Sequence, residues 1–217
     1  MILAAGRGER MRELTHAQPK PLLNVANKSL IEHLILRLRD EGFNDLVVNH
    51  AYHGRQLVHA LGDGRAWGVR IRHSPEPFGA LNTGGALKNA LPMLGDQPFL
   101  VVNSDVWTDF PFAELRAAKV GDAHLVLVPN PPYRDDGDFA MEGPLVRNEG
   151  APKFTFSGIS VYRPHFFDHC PVGSFHVTPW LRQAADEGRL TGQPFHGRWM
   201  DVGTPERLAS LKKEGTV

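Results

Sequence analysis

The chain has 217 residues, enough for one large domain, and its 24 basic residues balance 24 acidic ones to a formal net charge of zero. That balance excludes the basic footprint of a dedicated nucleic-acid binder and the charge blocks of a disordered tail. A single cysteine, Cys170, excludes an internal disulfide framework and a zinc site built from several cysteines.

The chain opens on a short apolar run, residues 2–5, followed at once by the glycine-rich GRGERMR. Ser29 with Glu32 three positions later forms a capping-box signature, and Leu30, Ile31, Leu34, Ile35 and Leu38 share one face of the helix it opens. Gly42 ends that pattern. Residues 46–48 read as a buried strand. Leu57, Val58 and Leu61 mark a second helix, stopped by Gly62, Asp63 and Gly64. Val69 and Ile71 alternate with arginines as a strand, and residues 86–94 are weakly helical. Residues 99–102 and 125–128 are two further continuous apolar runs. Strands alternating with helices predict βαβ units and a mostly parallel central sheet flanked by helices.

The second half is less regular. Residues 133–137 are polar and turn-rich, residues 139–146 suggest a hairpin, and residues 154–162 a longer strand. Thr178 before Pro179 predicts a capped helix ending near Gly188, and Thr204 before Pro205 repeats the device. No repeat and no long linker divides the chain, so one α/β domain is expected. No signal peptide and no apolar run of membrane-spanning length is seen, which predicts a soluble, cytoplasmic protein with no membrane partner.

The strongest chemical signal is LAAGRGERM, residues 3–11, followed by PKPL from Pro19. A strand running into a glycine turn can bring backbone N–H groups to an anion, with Arg7 gripping phosphate oxygens and Lys20 adding a point charge. Taken alone, a Gly-x-Gly is as well explained by an ordinary surface loop. Two other phosphate motifs fail. The Gly-Lys-Ser/Thr ending of a Walker loop is missing, and a dinucleotide fingerprint would need glycine at Met11 and an acidic residue at Asn49.

The second signal is a pair of aspartates. Asp105 follows an apolar strand and Asp201 precedes a capped helix, both at junctions where open sheets place ligands. Together they can hold a magnesium ion against substrate phosphates, although each alone is equally a turn or helix cap. The 11 histidines make metal-like spacings expected by chance. In HFFDHC, residues 165–170, Phe166 and Phe167 are expected to pack inward while the histidines face solvent, rather than to build a zinc site. Cys170 has no local basic partner and reads as structural. The four tryptophans read as core or rim, with Trp107 the one placed to line a sugar pocket.

LAAGRGERM, PKPL, TGG at 83–85, LVVNSD ending at Asp105, FSGIS at 156–160 and WMDVGTPERL at 199–208 stand in one order that resembles the sugar-1-phosphate nucleotidylyltransferases. NHAYHG, NSDVWTDF and Gly137-Asp138-Phe139 look like the short bacterial subgroup that acts on N-acetylmuramate 1-phosphate with UTP in peptidoglycan recycling. The resemblance implies a single Rossmann-like nucleotidyltransferase domain, with 1–130 serving the nucleotide and 131–217 the sugar phosphate and the metal. The expected first strand looks clipped by a few residues, and the left-handed β-helix of many relatives is expected to be absent.

Residue by residue, the resemblance implies that Leu3, Ala4, Ala5, Gly6, Arg7 and Gly8 hold the triphosphate and the base edge. Lys20 would bind the reacting phosphate, and Thr83 with Gly84 and Gly85 would read the base through main-chain groups. Asn103 would sit by the nucleoside, and Asp105 and Asp201 would bind Mg2+. Asp138, Thr155, Ser157 and Gly158, with Asn103, would face the sugar. Asn82 and Ser104 depart from the usual glutamate and glycine of such proteins.

The implied reaction joins a sugar 1-phosphate to a nucleoside triphosphate and releases pyrophosphate. A phosphate monoester, with a second pKa of about 6, is its own nucleophile, so no general base is required. The alternatives are a glucose- or mannose-1-phosphate nucleotidylyltransferase and a catalytically silent binder of the same ligands. The expected partners are small molecules. No feature sets the oligomeric state, and a monomer is compatible with every motif.

Overall fold

Ser29 and Glu32 cap a helix reciprocally: Ser29 Oγ accepts from the Glu32 N–H at 3.3 Å, and the Glu32 carboxylate accepts from the Ser29 N–H at 2.7 Å. This is one joint in a computed structural model that describes residues 1–76 and 79–214. In chain order the elements begin with β1 (Ile2–Leu3), β2 (Asn24–Val25), β3 (Lys28–Ser29), α1 (Leu30–Asp40), β4 (Asp45–His50), α2 (Gly54–Leu61), β5 (Arg70–Pro75) and α3 (Asn82–Leu94). They continue with β6 (Phe99–Asn103), β7 (Val106–Thr108), β8 (Ala123–Val128), β9 (Phe139–Glu142), β10 (Leu145–Arg147) and β11 (Lys153–Tyr162). The chain closes with α4 (Thr178–Asp186), β12 (Leu190–Pro194), β13 (Trp199–Asp201) and α5 (Pro205–Glu214).

Nine strands form one sheet in the order β5-β4-β1-β6-β11-β8-β12-β10-β9. The first four run parallel, as expected. Beyond β6 the sheet is mixed rather than mostly parallel: β11 lies antiparallel to both β6 and β8, and only β12 with β8 adds another parallel pair. The reason is the connection. A parallel return needs a crossover of a dozen or more residues, usually a helix, whereas β8 reaches β11 through the β9–β10 hairpin. The start of β11 also pairs with β9, closing β8, β12, β10, β9 and β11 into a ring.

The central strands are apolar on both faces because helices cover both. Leu46, Val48, Leu100, Val102 and Val126 pack with Ile31, Ile35 and Leu57 of α1 and α2. Their alternating neighbours Val47, Phe99, Val101, Leu125 and Leu127 pack with Leu87 of α3 and Leu181 of α4. The continuous apolar runs are therefore two interleaved faces of a three-layer αβα sandwich. A third, smaller cluster gathers Met11, Trp107, Val202, Leu208 and Leu211 beneath α5.

Two local expectations need correction. Thr178 does not cap α4 but begins it, because the Val177 carbonyl already accepts from Trp180 and Leu181 and the Val177 N–H donates to Thr83 Oγ1 at 3.3 Å. Trp107 turns into the third cluster, where His33 meets it edge-on at 4.8 Å between ring centres. Thr204 does cap its helix, accepting from the Arg207 N–H at 3.4 Å. Phe166 and Phe167 are buried as expected, and no cluster of three or more metal-binding side chains occurs among the described residues.

Candidate active site

The sheet reverses its winding at β1. From there the chain builds β4 and β5 on one side and then returns to place β6 on the other. Ligands of open α/β sheets bind beyond the carboxyl ends of the strands at such a switch point. A cavity of about 590 Å³ opens there, lined by residues 3–10, Lys20, Asn49, Glu76, Thr83, Asn103, Ser104 and Asp105.

The glycine turn has distinct parts. Gly8 adopts φ 64° and packs so closely on Lys20 and Thr15 that a Cβ would lie 3.1–3.2 Å from their side chains. Its carbonyl accepts from the Met11 N–H at 2.8 Å and from Thr15 Oγ1 at 3.1 Å, which fixes the loop. Gly6 faces open space. Arg7 is exposed, with its guanidinium 5.7 Å from the centre of the Tyr52 ring, within cation–π range. Arg10, not singled out in the sequence, also lines the cavity.

Lys20 is 9% exposed, and its Nζ donates to Asp105 Oδ2 at 2.5 Å. Asp201 lies on the neighbouring strand: β13 pairs with β7, setting Asp201 opposite Val106, and the Val202 N–H donates to the Asp105 carbonyl at 2.8 Å. Its carboxylate accepts from Tyr133 Oη at 2.6 Å and from the Arg207 guanidinium, which also stacks on Tyr133 at 4.2 Å. Burial, then the Asp201 hydrogen bond, pushes the Tyr133 hydroxyl pKa up. Each carboxylate thus has a cation against it. Oxygen donors at two adjacent positions suit a hard divalent ion that retains waters and shares phosphate oxygens.

Other predicted residues fall outside this cavity lining. The N–H groups of Gly84 and Gly85 donate to the Phe175 carbonyl at 3.0 and 3.1 Å, and a Cβ on Gly84 would strike the Phe175 ring. Both glycines allow α3 to meet the 173–177 loop, and only Thr83 of the triplet reaches the cavity. Thr155 and Ser157 are each 1% exposed. Thr155 Oγ1 donates to Asn130 at 2.9 Å and Ser157 Oγ to the Val126 carbonyl at 2.7 Å. Asp138 accepts from the Phe156 N–H at 2.8 Å and from Arg134. Gly158, at φ 77°, sits where β11 shifts register; a Cβ there would lie 2.6 Å from Asn103 Nδ2. It contributes to the site by making room for Asn103. Of the two departures, Asn82 bonds Ser174 at 2.8 Å, and the Ser104 N–H donates to the Leu3 carbonyl at 3.0 Å.

A glycine turn and a lysine–carboxylate pair at the switch point of an αβα sheet define an α/β fold with a site suited to phosphate. The chain belongs to the nucleotidyl transferase family, whose model matches residues 1–139. It is 52% identical to the N-acetylmuramate alpha-1-phosphate uridylyltransferase of Neisseria meningitidis serogroup B, over 96% of this chain and 94% of the relative. The enzyme of the same name from Caulobacter vibrioides is 36% identical, over 95% of this chain and 92% of the relative. A mannose-1-phosphate guanyltransferase of Aspergillus oryzae is 32% identical over 97% of this chain but only 62% of its own length. HddC from Yersinia pseudotuberculosis, solved with GMP-PN, superposes with a TM-score of 0.81 at 19% identity, covering 98% of this chain and 97% of that one, a likeness of fold.

Proposed function

We propose that this protein transfers a uridylyl group from UTP to N-acetylmuramate 1-phosphate, forming the nucleotide sugar and pyrophosphate. The observation that carries the reading is the 2.5 Å Lys20–Asp105 pair in a cavity shared with the residue 3–10 turn. The choice of substrates rests on the 52% and 36% identical uridylyltransferases. Chemically, an oxygen of the sugar phosphate attacks the α-phosphorus, the bond to the bridging oxygen breaks, and pyrophosphate leaves with that electron pair. The nucleophile is already ionised near neutral pH, so no side chain has to remove a proton.

The protein's task is then to bring two anions together and neutralise the charge between them. Arg7, Arg10 and Lys20 supply fixed positive charge toward the triphosphate. Asp105 and Asp201 would hold Mg2+, whose chemistry there is to neutralise phosphate charge, with Lys20 and Arg207 yielding their present hold. Arg134 is our candidate cation for the carboxylate of N-acetylmuramate: it follows Tyr133, which is hydrogen-bonded to Asp201, and would exchange its present partner Asp138 for that carboxylate. The reaction would take place in the cytoplasm and serve recycling of cell-wall sugar.

The test is pyrophosphate release with Mg2+ across four nucleoside triphosphates and the 1-phosphates of N-acetylmuramate, glucose and mannose, with an EDTA control. EDTA-sensitive turnover confined to UTP with N-acetylmuramate 1-phosphate is expected. Preference for GTP with mannose 1-phosphate would replace these substrates, and folded protein inert with every pair would leave a binding module.

A further inference from the structure

Two polar side chains are buried in the cavity wall, Asn49 at 2% and Glu76 at 8% exposure. Asn49 Oδ1 accepts from the Ala4 N–H at 2.8 Å, and its Nδ2 donates to Glu76 Oε1 at 2.6 Å. Glu76 Oε2 accepts from the Leu81 N–H at 2.5 Å. The orientation of the Asn49 amide is dictated by chemistry, because a backbone N–H can only donate. Three hydrogen bonds therefore link the exit of β1 to the start of α3, and both segments line the cavity. The Glu76 N–H, bonded to the His50 carbonyl at 3.0 Å, anchors the relay to β4.

We propose that Asn49 and Glu76 are positioning residues that set the spacing between the two walls of the nucleotide cleft. This rests on the nucleotide occupying that cleft. Neither side chain has to touch the reacting atoms. The Ala4 N–H, used in the relay, serves to place the Gly6–Gly8 turn rather than to bind phosphate. Because the phosphate turn and the first turn of α3 are fixed through one chain of bonds, losing it misaligns both ends of a nucleotide together. A sugar phosphate bound beyond Asp105 is not held by these bonds.

The polarity of the relay makes the idea testable. In Glu76→Gln, the new amide must point its N–H groups at Leu81 N–H or at Asn49 Nδ2. Flipping Asn49 only moves the conflict to the Ala4 N–H, so two donors face each other in every arrangement. In Asn49→Asp, two carboxylates face each other. The double variant Asn49→Asp/Glu76→Gln satisfies all three positions again, with the charge moved across the relay.

The experiment measures UTP dissociation by calorimetry without the second substrate, KM for each substrate, kcat and thermal unfolding. Each single variant should weaken UTP binding about tenfold or more while KM for the sugar 1-phosphate stays within about twofold. The double variant should recover to within about threefold of the wild type. A folded Glu76→Gln that binds UTP normally overturns the proposal, as does a loss shared equally by both substrates or a double variant no better than the singles. If the singles do not fold, the double variant alone decides: it must fold and bind as the wild type does. Wild-type protein that binds none of the four triphosphates overturns the proposed function and the relay with it, whereas normal wild-type binding with an unaffected Glu76→Gln overturns the relay alone.

Discussion

Lys20 and Asp105, 85 positions apart in sequence, meet at 2.5 Å with 11% and 23% of their side chains exposed. The pair spans the cavity between the turn after β1 and the exit of β6, so each residue holds the other's charge where phosphate would enter. Asp105→Asn keeps the shape and one acceptor and should remain folded. It should lower kcat/KM by roughly 10²-fold or more and raise the Mg2+ concentration for half-maximal rate. Lys20→Ala should cost a similar factor. Steady-state kinetics across a magnesium titration checks both; near-normal turnover in folded Asp105→Asn would remove the metal role.

Gly158→Ala should affect the site indirectly. Its φ of 77° and the 2.6 Å approach of a Cβ to Asn103 Nδ2 combine backbone strain with a clash against a cavity residue. A loss of about 1–3 kcal/mol is expected, together with a raised KM. Chemical denaturation and kinetics on the same preparation test this. A destabilised variant with unaltered KM would mean that the placement of Asn103 does not matter for binding.

Ser157→Ala should behave in the opposite way. Its Oγ donates to the Val126 carbonyl at 2.7 Å and accepts from the Ile159 N–H at 3.2 Å. Removing it leaves buried backbone groups unpaired, about 1–3 kcal/mol and several degrees of Tm. KM for the sugar 1-phosphate should not change, and a several-fold rise would restore Ser157 to the groups that touch substrate.

The pH dependence of stability should carry a histidine component. His124 is buried, with Nδ1 2.9 Å from Thr191 Oγ1 and Nε2 3.2 Å from Gln193 Oε1, and burial lowers its pKa. His50 shifts the same way through burial and repulsion from His73. As pH falls through the ordinary histidine value of about 6.5, the unfolded chain takes up these protons before the folded one. Their contribution is therefore complete above that value and is lost as pH falls toward the folded pKa values. His124→Gln should flatten the fall in Tm between pH 7.5 and 5; an unchanged slope would assign the loss to other groups.

Signals that act within a few residues were legible in the chain. Ser29 with Glu32, the apolar face of α1 and the Thr204 cap depend only on local geometry. The glycine turn and Asp105 are legible because each follows a buried strand, and Lys20 through the PKPL that carries the family resemblance. The direction of β11 was not, since it depends on the connection after β8. The burial of Thr155 and Ser157 is not legible, because small polar residues on a strand do not reveal which face they occupy, and the register shift at Gly158 hides it further. Gly84 reads as a ligand-facing glycine until the Phe175 carbonyl is seen against it. Asn49 counts in the sequence only against a dinucleotide fingerprint, yet it lies in the wall of the cleft, and its partner Glu76 directly follows β5, the next strand in the sheet.

The ring closed by β11 and β9 has a consequence for how the protein behaves in a crowded solution. Among the described residues, every strand of the nine-stranded sheet but β5 has neighbours on both sides. An open strand edge offers unpaired backbone groups to any other extended chain and is a site of intermolecular association. Here that exposure is small, because the Ile71 N–H already donates to the Asp63 carbonyl at 2.8 Å and Pro75, which ends the strand, cannot donate a ladder bond. That flank is therefore poorly suited to templating aggregation.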